Sequence, residues 1–318
     1  MRAAGGKKQL IDKVLIAETF EKLTPFVRRT PIIDVEVPGI EVPVVLKLEH
    51  MQHSGSFKAR GAFANLLGAK VPDSGVAAAS GGNHGAAVAY VAQALGISAK
   101  IFVPEISAPT KIARIKSYGA EVVVDGENYG AALANCQEYL DESGAMSLHA
   151  YDAPATIIGQ GTMAVEFETQ VLDGVDTVLM AVGGGGLIGG AAAWYEGAVK
   201  LVGVESQGCP TLHSAMAAGK PVPIKPHGLA ADSLGASSIG ELMLPLAQKF
   251  IDRVELVNDD EIRNAQKWLW ENLKIVTEPG GATAFAAVLS GVYQAAEEER
   301  IGVVICGGNT DPAIVGSL

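Results

Sequence analysis

Val182-Gly183-Gly184-Gly185-Gly186-Leu187-Ile188-Gly189-Gly190 joins an apolar run, Thr177–Val182, to an amphipathic one, Leu187–Val199. The first run reads as a strand and the second as a helix, so the glycines form a strand-to-helix turn. A structural turn needs one or two glycines. Four in succession let several backbone amides point at one anion with no side chain in the way, which reads as a phosphate cradle. The same stretch fits a dinucleotide fingerprint, Gly184-x-Gly186-x-x-Gly189, with Glu205 ending the next strand where a ribose-binding acid would sit. A nicotinamide dehydrogenase therefore stands as one reading of this turn.

Outward from it, the same beat fills the chain. Strand-like runs at Val44–Leu48, Gly75–Ala79, Lys100–Val103, Glu121–Val124, Lys200–Val204 and Ile301–Ile305 alternate with helical ones. The helical runs are Phe57–Leu67, Gly85–Leu95, Ala108–Tyr118, Tyr129–Ser143, Asp259–Asn272 and Gly281–Ser290. Short apolar strands between helices imply an α/β protein whose parallel sheets are covered on both faces. Ligands in such sheets collect at the carboxyl ends of strands, so the turns after strands are the places to search.

Whole-chain properties narrow the classes. At 318 residues the chain has length for two lobes, and 48% hydrophobic with 19% charged residues is a globular composition. A formal net charge of −11 argues against a general nucleic-acid binder, although amides hold a phosphate without net positive charge. Cys136, Cys209 and Cys306 are odd in number and far apart, which is neither a disulfide framework nor a CxxC metal pair. The start, Met1 to Lys8, has charge but no apolar stretch behind it, so it is not a signal peptide. Val175–Val182 and Gly302–Ile305 are too short to span a membrane, and a reducing cytoplasm is expected.

Three more turns are unusual. In Ser54-Gly55-Ser56-Phe57-Lys58-Ala59-Arg60-Gly61, Lys58 falls in the first turn of a helix, against the positive end of the dipole. That site suits an amine kept neutral or bound as an imine, and it suits equally a solvated lysine. In Ala79-Ser80-Gly81-Gly82-Asn83-His84-Gly85, amides and the Ser80 hydroxyl converge as if on a carboxylate or phosphate, while a plain helix cap explains the same residues. In Ile305-Cys306-Gly307-Gly308-Asn309, the thiol reads either as a small buried hydrophobe or as a weak partner for a ring nitrogen. The dehydrogenase reading leaves these three turns unexplained, and a non-catalytic amino-acid sensor on the same scaffold is a third reading.

Together the four turns resemble the serine/threonine dehydratase family of fold type II pyridoxal-phosphate enzymes, which includes serine racemase. The resemblance runs from Leu23-Thr-Pro-Phe-Val-Arg-Arg-Thr-Pro31 to Asn309, and takes in Gly159-Gln160-Gly161-Thr162 and Glu278-Pro-Gly-Gly-Ala282. It implies pyridoxal 5′-phosphate as cofactor and a tryptophan synthase β-like fold of two α/β domains with the cofactor between them. The large domain would comprise residues 1–48 and 147–318, the small inserted one residues 49–146. Lys58 stands where the family has its Schiff-base lysine and general base, beside Phe57. Asn83 matches the partner of the cofactor's 3′-oxygen, and Gly183, Gly184, Gly185, Gly186 and Leu187 match the phosphate cradle. Ser80, Gly81 and His84 match the substrate-carboxylate loop, Cys306 faces the pyridine nitrogen, and Glu278 lies near the ring.

The activity so implied is dehydration and deamination of L-threonine or L-serine to a 2-oxo acid and ammonia, with serine racemase or 3-hydroxyaspartate dehydratase as alternatives within the family. Gly81 occupies the position where serine racemase carries its second proton-transfer serine, so elimination is expected to dominate. Metal-activated relatives use a glutamate, a carbonyl four residues on and an aspartate six on. Here these are Glu205, Cys209 and Thr211, so no metal is expected. A homodimer is the family expectation, with no nucleic-acid or membrane partner. The chain ends shortly after Asn309, with no room for a regulatory domain, which favours a catabolic-type enzyme. A side chain at Gly184 or Gly185 is expected to lower cofactor affinity more than stability.

Overall fold

The computed structural model describes residues 11–316, so the expectation for the first eight residues lies outside the described residues. Among these, ten strands form two sheets: β1 (Ile32–Val35), β2 (Val44–Lys47), β3 (Val76–Ala79), β4 (Ala99–Val103), β5 (Glu121–Val124), β6 (Met146–Ser147), β7 (Thr177–Ala181), β8 (Lys200–Ser206), β9 (Ile251–Val257) and β10 (Ile301–Val304). The larger sheet has the order β1-β2-β10-β7-β8-β9 and the smaller β5-β4-β3-β6. Every strand of the smaller sheet lies between β2 and β7 in sequence, and β6 carries it to Ser147. The pairing is parallel except at one edge, where β1 runs antiparallel to β2 with Ile32 opposite Lys47. The sheets are thus parallel-rich as expected, and the antiparallel edge strand β1 is not among the expected elements. Its exposed and half-exposed side chains, Asp34 among the exposed, carry no buried-strand signal. Strands β2, β3, β7 and β10 are buried along their whole length, as sheets covered on both faces require.

The helix Pro154–Gln170 has no counterpart among the expected elements, and it organises the site. It is buried from Thr156 through Phe167. Its glycines, part of the Gly159-Gln160-Gly161-Thr162 stretch, are points of close approach. A Cβ at Gly159 would lie 2.8 Å from Gly61 Cα, on the helix Lys58–Leu66. A Cβ at Gly161 would lie 2.9 Å from Gly190 O, on the helix Gly186–Tyr195. One spine thus holds both the helix that starts at Lys58 and the helix that follows the glycine turn.

A cluster of four buried charges ties the spine to β2. Arg60 donates through Nε and Nη2 to the two Glu49 carboxylate oxygens at 2.8 and 2.7 Å, and its Nη2 lies 3.0 Å from Glu166. Lys47 Nζ reaches Glu166 at 2.5 Å, Gln170 Oε1 at 2.6 Å and the Thr30 carbonyl at 2.8 Å. Lys47, Glu49 and Arg60 have no solvent exposure. Two cations face two anions, so the buried charge cancels. Burial works to raise the Glu49 carboxyl, and Arg60 with Lys47 more than offsets it. Among the described residues no helix is long and apolar enough to cross a membrane.

Candidate active site

Lys58, Asn83, Glu278, Cys306 and the glycine turn, scattered over the sequence, come together at carboxyl ends of strands from both sheets. Segment Ser54–Ser56 runs beside Gly307–Asn309: Gly308 N donates to Gly55 O at 2.9 Å, Ser56 bridges Gly307, and Phe57 N donates to Cys306 O at 3.2 Å. This pairing sets the start of the helix Lys58–Leu66 beside the segment that follows β10. Lys58 Nζ lies 5.1 Å from the Phe57 ring centre and donates to Ala150 O at 2.8 Å. Burial pushes its amine down to about 8, against the opposing pull of Cys306 and Glu278.

Around the amine stand groups that burial keeps neutral or close to it. The Cys306 thiol is pushed up to about 12 by burial, and its Sγ lies 3.4 Å from Gly280 O. Burial raises Glu278 to about 7, opposed by the hydrogen bond from Asn83. That bond runs from Asn83 Nδ2 to Glu278 Oε1 at 2.5 Å. His84 is pushed down to about 3 by burial, and its neutral ring donates from Nε2 to Leu148 O at 2.8 Å. Its ring is therefore engaged with the fold through Leu148. Ser80 Oγ accepts from Gly82 N at 3.2 Å, which closes that loop.

The glycine turn lies across from Lys58, joined to it through residues 150 and 151. The Tyr151 ring packs on Gly184, and a Cβ at Gly186 would lie 3.1 Å from Tyr151 Cα. Asp152 pins this segment by accepting from Glu241 N and Leu242 N at 3.0 and 2.9 Å. The helix Gly186–Tyr195 begins after Gly185, at φ +87°, and no side chain caps it. Its first amides are thus left to an anion. An amine held below its ordinary range, an uncapped helix start beyond a side-chain-free turn, and a neutral thiol fit an aldehyde-bearing phosphorylated pyridine.

Glu205 does not serve as a ribose ligand. It is fully buried, with its oxygens taken by Thr211 Oγ1 at 2.8 Å, Leu212 N at 2.8 Å and His213 N at 2.9 Å. Burial still raises it to about 7, against those bonds. The dehydrogenase reading of the turn fails on this geometry.

Sequence reasoning missed several residues here. Tyr151 covers the glycine turn, and Lys111 pairs with Asp232 beside the loop that holds Gly81 and Gly82. Ser107 fills the space beside Gly81, so that a Cβ there would collide with its Oγ. None sits in a strand-end glycine turn, the signal by which the others were found. An aromatic residue three before Pro154 was the one local hint for Tyr151.

The family model for pyridoxal-phosphate dependent enzymes matches residues 23–307. The chain is 38% identical over 317 residues to a phenylserine dehydratase of Ralstonia pickettii, covering 96% of this chain and 95% of that protein. It is 35% identical over 281 residues to a catabolic L-threonine dehydratase of Escherichia coli, covering 86% and 85%. Maize serine racemase superposes with a TM-score of 0.89 at 31% identity, covering 96% of each chain.

Proposed function

The chain belongs to the pyridoxal-phosphate dependent enzymes, and on that footing we propose that it is an ammonia-lyase of the threonine/serine dehydratase type. Its preferred substrate is L-threonine or L-serine, released as a 2-oxo acid and ammonia. The observation that carries this reading is the buried Lys58 amine, held below its ordinary range, between a phosphate-ready helix start and the buried Cys306 thiol. Pyridoxal phosphate, when bound, supplies a covalent hold on the substrate amine and a sink for electrons from Cα.

This chain's residues do the rest. Lys58 anchors the cofactor and, once released, takes the Cα proton as general base. Gly183, Gly184, Gly185, Gly186 and Leu187 hold the phosphate through amides. Asn83, braced by Glu278, donates to the ring oxygen. Cys306, a thiol with its proton held, cannot keep the ring nitrogen charged as a carboxylate would, which favours prompt β-elimination. Ser80, Gly81 and His84 hold the substrate carboxylate, His84 through its amide because its ring is engaged with Leu148 O. A division into a small unit at 49–146 and a large remainder, a homodimer and a cytoplasmic setting complete the proposal.

Racemisation needs a second proton carrier opposite Lys58, and Gly81 has no side chain. L-serine should therefore give pyruvate much faster than D-serine, followed by chiral chromatography beside 2-oxo acid release. D-serine appearing as fast as pyruvate overturns the assignment. The same assay run on L-threonine, L-serine, 3-phenylserine and 3-hydroxyaspartate tests the substrate. No 2-oxo acid from any of the four would sink the lyase reading. Gly81→Ser alone is a poor route to a racemase, because the new side chain meets Ser107.

Two further outcomes follow from the charges. Cofactor attachment needs the neutral amine, and at pH 7.5 about a quarter of Lys58 amines are neutral, against roughly one in a thousand for an ordinary lysine. The rate at which cofactor-free protein captures pyridoxal phosphate should rise with pH through about 8 and then level. A limb near 10.5 would mean that burial does not act on this amine. Second, Thr211 sets a neutral hydroxyl beside the Glu205 carboxylate where a hard cation would want a second charged oxygen. Prolonged chelation should change the rate by less than about two-fold. Strong loss, restored by magnesium or calcium, would refute it.

A further inference from the structure

Asn309 is a buried amide whose hydrogen bonds are one-sided. Its Nδ2 donates to Ser54 O at 2.8 Å and to Asn83 Oδ1 at 2.5 Å, while its own Oδ1 finds no donor. Both of the side chain's hydrogen bonds to the protein are therefore made by its NH2 group. Both bonds cross the fold. One goes to the turn before Lys58, the other to the first residue of the helix Asn83–Leu95.

The bond to Asn83 decides which end of that amide faces which neighbour. With Oδ1 held by Asn309, Nδ2 points to Glu278 Oε1, and its second hydrogen remains for a ligand. Glu278 alone does not enforce this orientation. Burial raises its carboxyl to about 7, so near neutral pH it is partly protonated and able to donate to an amide turned the other way round. An Asn83 so turned would present its oxygen to an oxygen.

We propose that Asn309 is a positioning residue that fixes the amide orientation of Asn83 and so keeps an N–H turned toward the cofactor's ring oxygen. This rests on the role given to Asn83 above. Asn309→Asp changes little in shape but sets a carboxylate against two acceptors, Ser54 O and Asn83 Oδ1, which drives Asn83 to turn over. The dissociation constant for pyridoxal phosphate should rise about ten-fold or more, and the visible band of the bound cofactor should shift.

The test is a double-mutant cycle on the full chain, read by cofactor titration and absorbance, with the melting of the cofactor-free protein followed in parallel. Asn83→Ala and Asn309→Asp should each weaken binding. Together they should be worse than Asn83→Ala alone by less than about two-fold, because Asn309 acts through Asn83. Fully additive losses, or Asn309→Asp with normal affinity and an unmoved band, overturn the proposal. If Asn83→Ala itself leaves affinity and band unchanged, the role of Asn83 fails and this inference with it. Additivity with an intact Asn83 effect removes this inference alone. Should Asn309→Asp not fold, Asn309→Ser, which keeps one donor and adds no charge, decides by the same cycle with a smaller loss.

Discussion

Lys58→Ala is expected to lower 2-oxo acid release by about 10³-fold or more and to abolish the visible band of the bound cofactor, while the protein stays folded. The loss is large because one amine serves both as anchor and as base, so neither role is left to a neighbour. The fold is spared for local reasons. The side chain contributes one hydrogen bond, to Ala150 O, and its burial holds the amine below its ordinary range, which is a cost that alanine removes. Alanine also suits the first turn of a helix. Melting within a few degrees of the parent protein, with activity gone, is the expected pair of results. Dehydratase rates near those of the parent would remove Lys58 from the mechanism.

Gly184→Val should weaken pyridoxal phosphate binding by about 100-fold or more, as loss of two charge-assisted bonds of about 1.5 kcal/mol or more each implies. A Cβ at Gly184 collides with the Tyr151 ring, which lies over the turn, so the added atoms enter the space in front of the amides. Gly185 sets a direct cost to the fold against the expectation that affinity falls more than stability. Its φ of +87° strains any side chain, and its Cβ would lie 2.7 Å from Ile239 Cδ1 and 2.8 Å from Met243 Sδ. Both neighbours belong to the core of the larger sheet. Gly185→Ala should therefore lower the melting temperature of the cofactor-free protein as well as affinity. Gly184→Val displaces the half-buried Tyr151 ring, so some fall in melting accompanies the loss of affinity; normal affinity there would show that this turn is not the cradle.

The contrast between these two glycines marks how far the sequence can be read. The beat of strands and helices was legible because each element carries its own period, and Tyr129–Ser143 runs to the expected residues. The four turns were legible because glycines and a lone lysine after a strand are local signals. The spine Pro154–Gln170 was not, since Gly159 and Gly161 make sense only against Gly61 and Gly190. Asn309 stood in a motif without a role, because the atoms its amide serves lie 226 and 255 residues away. Thr211, Tyr151, Lys111 and Asp232 owe their meaning to neighbours that only the folded chain supplies.

The four buried charges at Lys47, Glu49, Arg60 and Glu166 also constrain how this protein can change over generations. Removing one member strands an unpaired charge in the interior, at a cost of about 3–5 kcal/mol, a large share of the stability of an ordinary domain. Exchanging a whole oppositely charged pair for apolar residues of similar volume is often neutral. Single steps away from this quartet are closed and paired steps are open. Drift here must pass through two linked substitutions, and the helix bearing Lys58 stays in register with its spine for as long as no such pair arises.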